Sequence, residues 1–324
     1  MRVFLTGGTG FIGGRVARKL RERDDEVVAL ARSPDRAREL ARLGCELVEG
    51  DLSNEDALRR GVKGCDAVIH GAAIYKIGVP KSARDEIWNA NVHGTERVLD
   101  AAIEAGIPRI VYVSTVNVFG NTRGEVVDES YERRVEDGFL SVYDETKYRS
   151  HQIAKARIAA GAPIVIVQPG AVYGPGDHSE IGNMIDQSST GKLKAKVFPE
   201  LGASYVHVED VAAGIVLALD KGEVGEAYVL AGERARMGDL VDKAARLSGR
   251  EPPKLTIPPV MITLSAPFGP ILGPLLGFPP NLKEAKSSAH NVTYWARDDK
   301  ARGQLGYTSR DLDTGMRDTL AKLR

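Results

Sequence analysis

The chain of 324 residues holds two cysteines, Cys45 and Cys65, too few for a fold stapled by disulfides. Both fall in strand-like stretches and are expected as reduced thiols in a cytoplasmic protein. Charge of neither sign is in excess, with 44 basic and 44 acidic side chains. No basic surplus is available to neutralise a phosphate backbone, which argues against nucleic acid as the main partner. The six histidines are scattered, without an H-E-x-x-H or a Cys/His cluster, so no metal is expected. No signal peptide is visible, because the opening apolar stretch RVFL runs straight into glycines. One long apolar stretch occurs, VMITLSAPFGPILGPLLGF at 260–278, and prolines at 267, 270 and 274 interrupt it. It reads as a folded apolar flap, with peripheral membrane contact as the alternative and no transmembrane segment.

What is present is a regular alternation. Strand-like runs occur at 2–6, 26–31, 45–50, 66–72, 109–115 and 163–170. Helix-like segments lie between most of them, at 11–23, 54–62 and 83–106, the last stopping at Gly106. The strands are apolar almost throughout, as strands covered on both faces are. Strand and helix repeated in this way indicate an α/β fold, a doubly wound parallel sheet of Rossmann type. After about residue 170 the rhythm loosens, and nine of the sixteen prolines fall in 252–280. The expected organisation is a dinucleotide-binding core over 1–170 and a smaller, mainly substrate-binding lobe over 171–324. Segments within 203–232 are expected to return to the core.

The first strand ends in TGGTGFIGG, residues 6–14, with Gly7, Gly10 and Gly13 three apart. The first glycine permits a tight turn, the second lets the backbone approach a pyrophosphate, and the third lets helix and strand pack closely. The N–H groups that open the helix, from Phe11 and Ile12 onward, then face the phosphate. A cofactor without a 2′-phosphate usually meets an acid at the end of the second strand. Here ALARSPDR, residues 29–36, has none at Ala31 or Arg32 and offers Arg32, Ser33 and Arg36 instead. Guanidinium groups suit a phosphate dianion, so NADP is expected rather than NAD.

Residues 143–147 read YDETK. On a helix Tyr143 and Lys147 share a face, and an ammonium beside a phenol favours the phenolate. That brings the phenol toward a working pH for proton transfer. Ser114 and Thr115 end the fifth strand, where open sheets present their crevice. A hydroxyl there can hydrogen-bond the oxygen that the tyrosine protonates.

Taken together, TGGTGFIG (6–13), GDL (50–52), HGAA (70–73), NVHGT (91–95), VSTVNVFG (113–120), YDETK, QPGAVYGPGD (168–177) and YVHVEDVAAG (205–214) resemble the extended short-chain dehydrogenases/reductases. This is the NAD-dependent epimerase/dehydratase family, and its dihydroflavonol-reductase-like branch is the nearest. The resemblance implies Tyr143 as acid/base, with Lys147 lowering its pKa and holding the nicotinamide ribose. It implies Thr115 as the catalytic hydroxyl, Ser114 being its neighbour, and Asn91 as a fourth polar residue supporting the site. For the cofactor it implies Asp51 at the adenine beside Leu52, Ala72 and Ala73 along the cleft, and Pro169 and Gly170 at the nicotinamide. A homodimer is typical of such proteins.

Two chemistries share those residues. One is reversible reduction of a ketone or aldehyde by NADPH, and the other is nucleotide-sugar 4-epimerisation or dehydration with tightly held NAD. Sugar-nucleotide members tend to carry an arginine where this chain has Gln168, and a basic pair before VHVED that this chain lacks. A diphosphate would want those cations. The apolar region 257–280 favours a less charged small-molecule substrate, hence the reductase. A cofactor-sensing module on the same fold is disfavoured by the Tyr/Lys pair.

Overall fold

The computed structural model describes residues 1–265 and 279–322, apart from the side chains of residues 34 and 36. Seven parallel strands form the main sheet: β1 (Arg2–Thr6), β2 (Glu26–Ala31), β3 (Glu46–Glu49), β4 (Ala67–His70), β5 (Ile110–Val113), β6 (Ile164–Pro169) and β10 (Ala227–Leu230). Their order is β10-β6-β5-β4-β1-β2-β3. Strand residues alternate between two apolar clusters. Val3, Leu5, Val111 and Val165 meet α1 (Phe11–Glu22) and α8 (Val208–Lys221) on one face. Phe4, Ile110 and Ile164 meet α3 (Glu55–Val62), α5 (Gly94–Glu104) and α6 (Val142–Ala159) on the other. This double burial is why the strands show no polar alternation. Each fully buried Leu or Phe in these clusters contributes roughly 2 kcal/mol. Cys45 and Cys65 are free and buried in opposite clusters, on either side of the sheet.

The helix expected over 83–106 is interrupted. Between α4 (Arg84–Trp88) and α5, residues Asn89–His93 make one wider π turn. The Asn91 carbonyl there accepts from the Thr95 hydroxyl at 2.6 Å and the Ser150 hydroxyl at 2.7 Å. Such insertions re-aim side chains at functional sites.

Of residues 203–232, α8 and β10 lie on the main sheet. The strand β9 (Gly202–His207) belongs instead to a second sheet with β7 (Ala171–Tyr173), β11 (Glu233–Arg236) and β13 (Thr293–Tyr294). Around it pack α7 (Glu180–Ser189), α9 (Met237–Leu247) and α12 (Leu312–Ala321) through Ile185, Leu240 and Met316. His207 sits 3.2 Å from Asp318, and Arg310 forks onto Asp210, so both bind the C-terminal helix to α8. Two short strands, β8 (Ala195–Lys196) and β12 (Leu255–Thr256), pair beside α10 (Pro259–Ser265). The short α2 (Arg38–Arg42) and α11 (Leu282–Ala289) complete the elements used below. Residues 266–278 of the expected flap lie outside the described residues. Among the described residues no helix is long and apolar enough to cross a membrane.

Candidate active site

The chain leaves β1 and β4 in opposite directions along the sheet, so a crevice opens at their C-terminal ends. It widens into a cleft of about 1960 Å³ that reaches into the C-terminal lobe. Its cofactor side begins at the glycine loop. Gly7 has φ +80°, and a Cβ there would come within 2.7 Å of the Ala72 nitrogen. A Cβ on Gly13 would lie 2.1 Å from the Gly7 carbonyl oxygen, so loop and helix meet at a distance only glycine permits.

The start of α1 differs from other helix starts in the chain. Gly10 gives it no side-chain cap, and no acid stands in its first turn. By contrast α3, α6, α7, α11 and α12 each open on a capping side chain with an acid in the first turn. The first N–H groups of α1, those of Phe11 and Ile12 included, are left for an external anion. These residues fit the pyrophosphate of a dinucleotide.

Arg32 is exposed at the end of β2 and lines the cleft, as do Asp51 and Leu52 after β3. Asp51 accepts from the Ser53 hydroxyl at 2.6 Å and the Ser53 N–H at 2.8 Å. Those bonds, helped by the Arg32 charge, hold its carboxyl below the usual range. Ala72, Ala73, Pro169 and Gly170 line the same cleft, next to Gly7, Gly10 and Gly13. The Arg36 side chain lies outside the described residues. Arg15 was not singled out by the sequence motifs, yet it lines the cleft. It donates to the Phe11 carbonyl at 3.0 Å and to the Pro175 carbonyl, tying α1 to the loop after β7.

Tyr143 is the second residue of α6, whose start is capped by Ser141 accepting from the Asp144 N–H at 3.1 Å. Asp144 in turn is clasped by Arg133 at 2.6 and 2.7 Å, both side chains almost fully buried. The Tyr143 ring meets the Tyr75 ring edge-on, centroids 4.7 Å apart. Burial raises the phenol above its usual pKa, and the neighbouring Thr115 hydroxyl pulls the other way. One turn on, the Lys147 ammonium donates to the Val113 carbonyl at 2.9 Å and to the Tyr112 hydroxyl at 3.3 Å. Burial lowers it to about 7.

The expected acidification of the phenol is therefore not what the structure displays. Lys147 is turned toward the end of β5, and the cost of desolvating the phenolate dominates.

The two neighbouring hydroxyls have different partners. Ser114 is engaged by His151 Nδ1 at 2.9 Å, whereas Thr115 accepts from the Asn117 N–H and donates to Asn117 Oδ1, both at 3.2 Å, and stands beside Tyr143. Asn91, grouped with them from the sequence, does not reach the cleft wall. It is buried behind it, accepting from the Ile74 N–H at 2.7 Å and donating to the Ile74 carbonyl and the Thr146 hydroxyl at 3.0 Å. It fixes the loop after β4 against α6. This makes it a positioning group rather than one that touches reactants.

A sequence model of the NAD dependent epimerase/dehydratase family matches residues 3–231. The chain belongs to this family. It is accordingly an NAD(P)-dependent oxidoreductase of the extended short-chain type. A Synechocystis protein provisionally named a dihydroflavonol 4-reductase is 32% identical, covering 98% of this chain and 93% of its own. The 4-hydroxy-2-methyl-3-oxo-4-farnesyl-3,4-dihydroquinoline-1-oxide ketoreductase of Stigmatella aurantiaca is 30% identical, covering 96% of this chain and 92% of its own. Among solved structures, that of gox2253 superposes with a TM-score of 0.84 at 33% identity, covering 99% of this chain and 97% of that one.

Proposed function

We propose that this protein is an NADP-dependent reductase of ketones or aldehydes, reversible, acting on an apolar or weakly charged substrate. The observation that carries the reading is the meeting of Tyr143, Thr115 and Lys147 in one cleft whose lobe side is largely apolar. Val172, Ile181, Met184, Phe198, Met261, Leu282 and Tyr294 line that side. Lys194 is the one Lys or Arg among its described residues, and Asp177 and Glu180 stand with it. A nucleotide diphosphate would have little to pair with there. The Stigmatella relative, named for a farnesylated ketone, supports the same substrate class.

In this reading residues 1–170 hold the cofactor and the later residues mainly hold the substrate. Arg32 would pair with the 2′-phosphate of NADP, and the uncapped start of α1 would receive the pyrophosphate. When bound, the nicotinamide cofactor would supply the hydride for the carbonyl carbon. Tyr143 gives its Oη proton to the carbonyl oxygen, and Thr115 donates a hydrogen bond to that same oxygen. Lys147 fixes the end of β5 beside Tyr143 and reaches toward the cofactor ribose. Tyr75, itself part-exposed, packs edge-on against the phenol ring and steadies it.

The test is to mix purified protein and NADPH with acetophenone, methyl nonyl ketone and cholestanone and to follow nicotinamide absorbance. Consumption of NADPH with one of these ketones is the expected result. Turnover of UDP-glucose without net consumption of cofactor, and no reaction with the ketones, would identify a sugar-nucleotide epimerase instead.

A further inference from the structure

The helix that bears Tyr143 is held at its first turn by a side chain from far along the chain. Glu284, on α11, is 7% exposed. Its Oε1 accepts from the Val142 N–H at 2.8 Å, and its Oε2 accepts from Asn281 Nδ2 at 2.9 Å. Four residues on, the Ser288 hydroxyl donates to the Leu140 carbonyl at 3.0 Å, on the same segment that leads into α6. The Asn281 N–H, at the start of α11, donates to the Gly78 carbonyl at 2.8 Å, in the loop that carries Tyr75.

The first N–H groups of a helix have no partner within it. In α6 the Ser141 hydroxyl satisfies that of Asp144, and Glu284 satisfies that of Val142. The Val142 N–H belongs to the peptide one residue before that of Tyr143, so the carboxylate fixes the first turn from which the phenol hangs. The other side of α11 faces the substrate: Leu282, Ala285 and Ala289, spaced along one helical face, line the cleft. Glu284 and Ser288, four apart, grip α6 and the segment before it, Ser288 lying at the edge where that face meets the cleft.

We propose that Glu284 is a positioning residue for Tyr143, and that through α11 the seating of the proton donor is tied to what fills the substrate side of the cleft. The proposal rests on the reading of Tyr143 as proton donor. A carboxylate suits the task because it accepts two hydrogen bonds at once and favours the positive end of the α6 dipole. Misplacing a reacting group by about 1 Å can cost on the order of 100-fold in rate.

The experiment uses the full chain, NADPH and whichever of the three ketones the parent reduces fastest. It compares Glu284→Ala, Glu284→Gln, Tyr143→Phe and the double variant Tyr143→Phe/Glu284→Ala, with NADPH affinity followed by fluorescence titration. Glu284→Ala is expected to lower kcat by on the order of 100-fold, with KM and NADPH affinity within about twofold of the parent. Glu284→Gln, whose amide oxygen still accepts from Val142, is expected to recover kcat to within about threefold. In the Tyr143→Phe background the Ala substitution is expected to change the residual rate by less than about twofold, because the two residues act as a unit. Should Glu284→Ala fail to retain NADPH, Glu284→Asp, which withdraws the carboxylate by one methylene, takes its place with the same expectation. Parent-like kcat in Glu284→Ala, or an equal loss in both backgrounds, overturns the proposal while leaving Tyr143 in its role. Parent-like kcat in Tyr143→Phe overturns the reading beneath it.

Discussion

Replacing Lys147 by methionine isolates the effect of burying an ammonium among apolar groups. Lys147 is 3% exposed, and burial brings it from the usual 10.5 to about 7. Below pH 7 folded and unfolded chains both hold the proton, and the folded protein bears the full cost of desolvating it. Between about 7 and 10 the unfolded chain still binds a proton that the folded chain has released. Stability from this group therefore rises with pH across that window. At about 1.4 kcal/mol per pH unit, the gap between 10.5 and about 7 amounts to about 5 kcal/mol. The Lys147→Met variant lacks this titration, and His70 and His151, which feel the Lys147 charge, are held neutral by burial in the folded protein across this window. Its stability advantage over the parent is thus expected to fall by about 4 kcal/mol from pH 6 to pH 10, the remainder falling above pH 10. A constant offset from the lost bonds to Val113 and Tyr112 does not alter that slope. Urea unfolding at intervals across the range measures it. A difference that stays level to within about 1 kcal/mol would refute a buried, readily neutralised lysine.

Other expectations follow from neighbouring residues. Thr115→Ala should lower kcat by about 10- to 100-fold, and Ser114→Ala by much less, because Ser114 is engaged with His151 rather than Tyr143. Asp144→Ala strands the Arg133 guanidinium without its buried partner and should cost about 3–5 kcal/mol in urea unfolding. Arg32→Gln should raise KM for NADPH by roughly 10-fold or more while leaving KM for NADH within about twofold, since only the former carries the 2′-phosphate.

Much of this architecture was legible in the sequence because it is written in local terms. The six apolar runs of the first half are strands β1 to β6, because a strand buried on both faces needs no polar partner pattern. The glycines were equally readable, since Gly7 and Gly13 sit where any Cβ would strike backbone. Contacts between distant segments were not. Nothing local announces that Glu284 caps α6, that Arg133 clasps Asp144, or that Tyr75 packs against Tyr143. The π turn at 89–93 was hidden because its residues keep a helical pattern. The spacing of YDETK does place Tyr143 and Lys147 on one helical face, but the phenol's pKa depends on burial. Burial depends on the packing of distant segments around α6, so the sign of the shift is opposite to that expected from Lys147 alone.

The central claim is that Tyr143 hands its proton to a substrate oxygen in a cleft that also holds NADPH. Single-turnover reduction of the best ketone by the parent and by Tyr143→Phe, both saturated with NADPH, tests it most directly. The account predicts equal NADPH affinity and a loss of about 100-fold or more in the rate of product formation for Tyr143→Phe. Equal rates in the two proteins would contradict it.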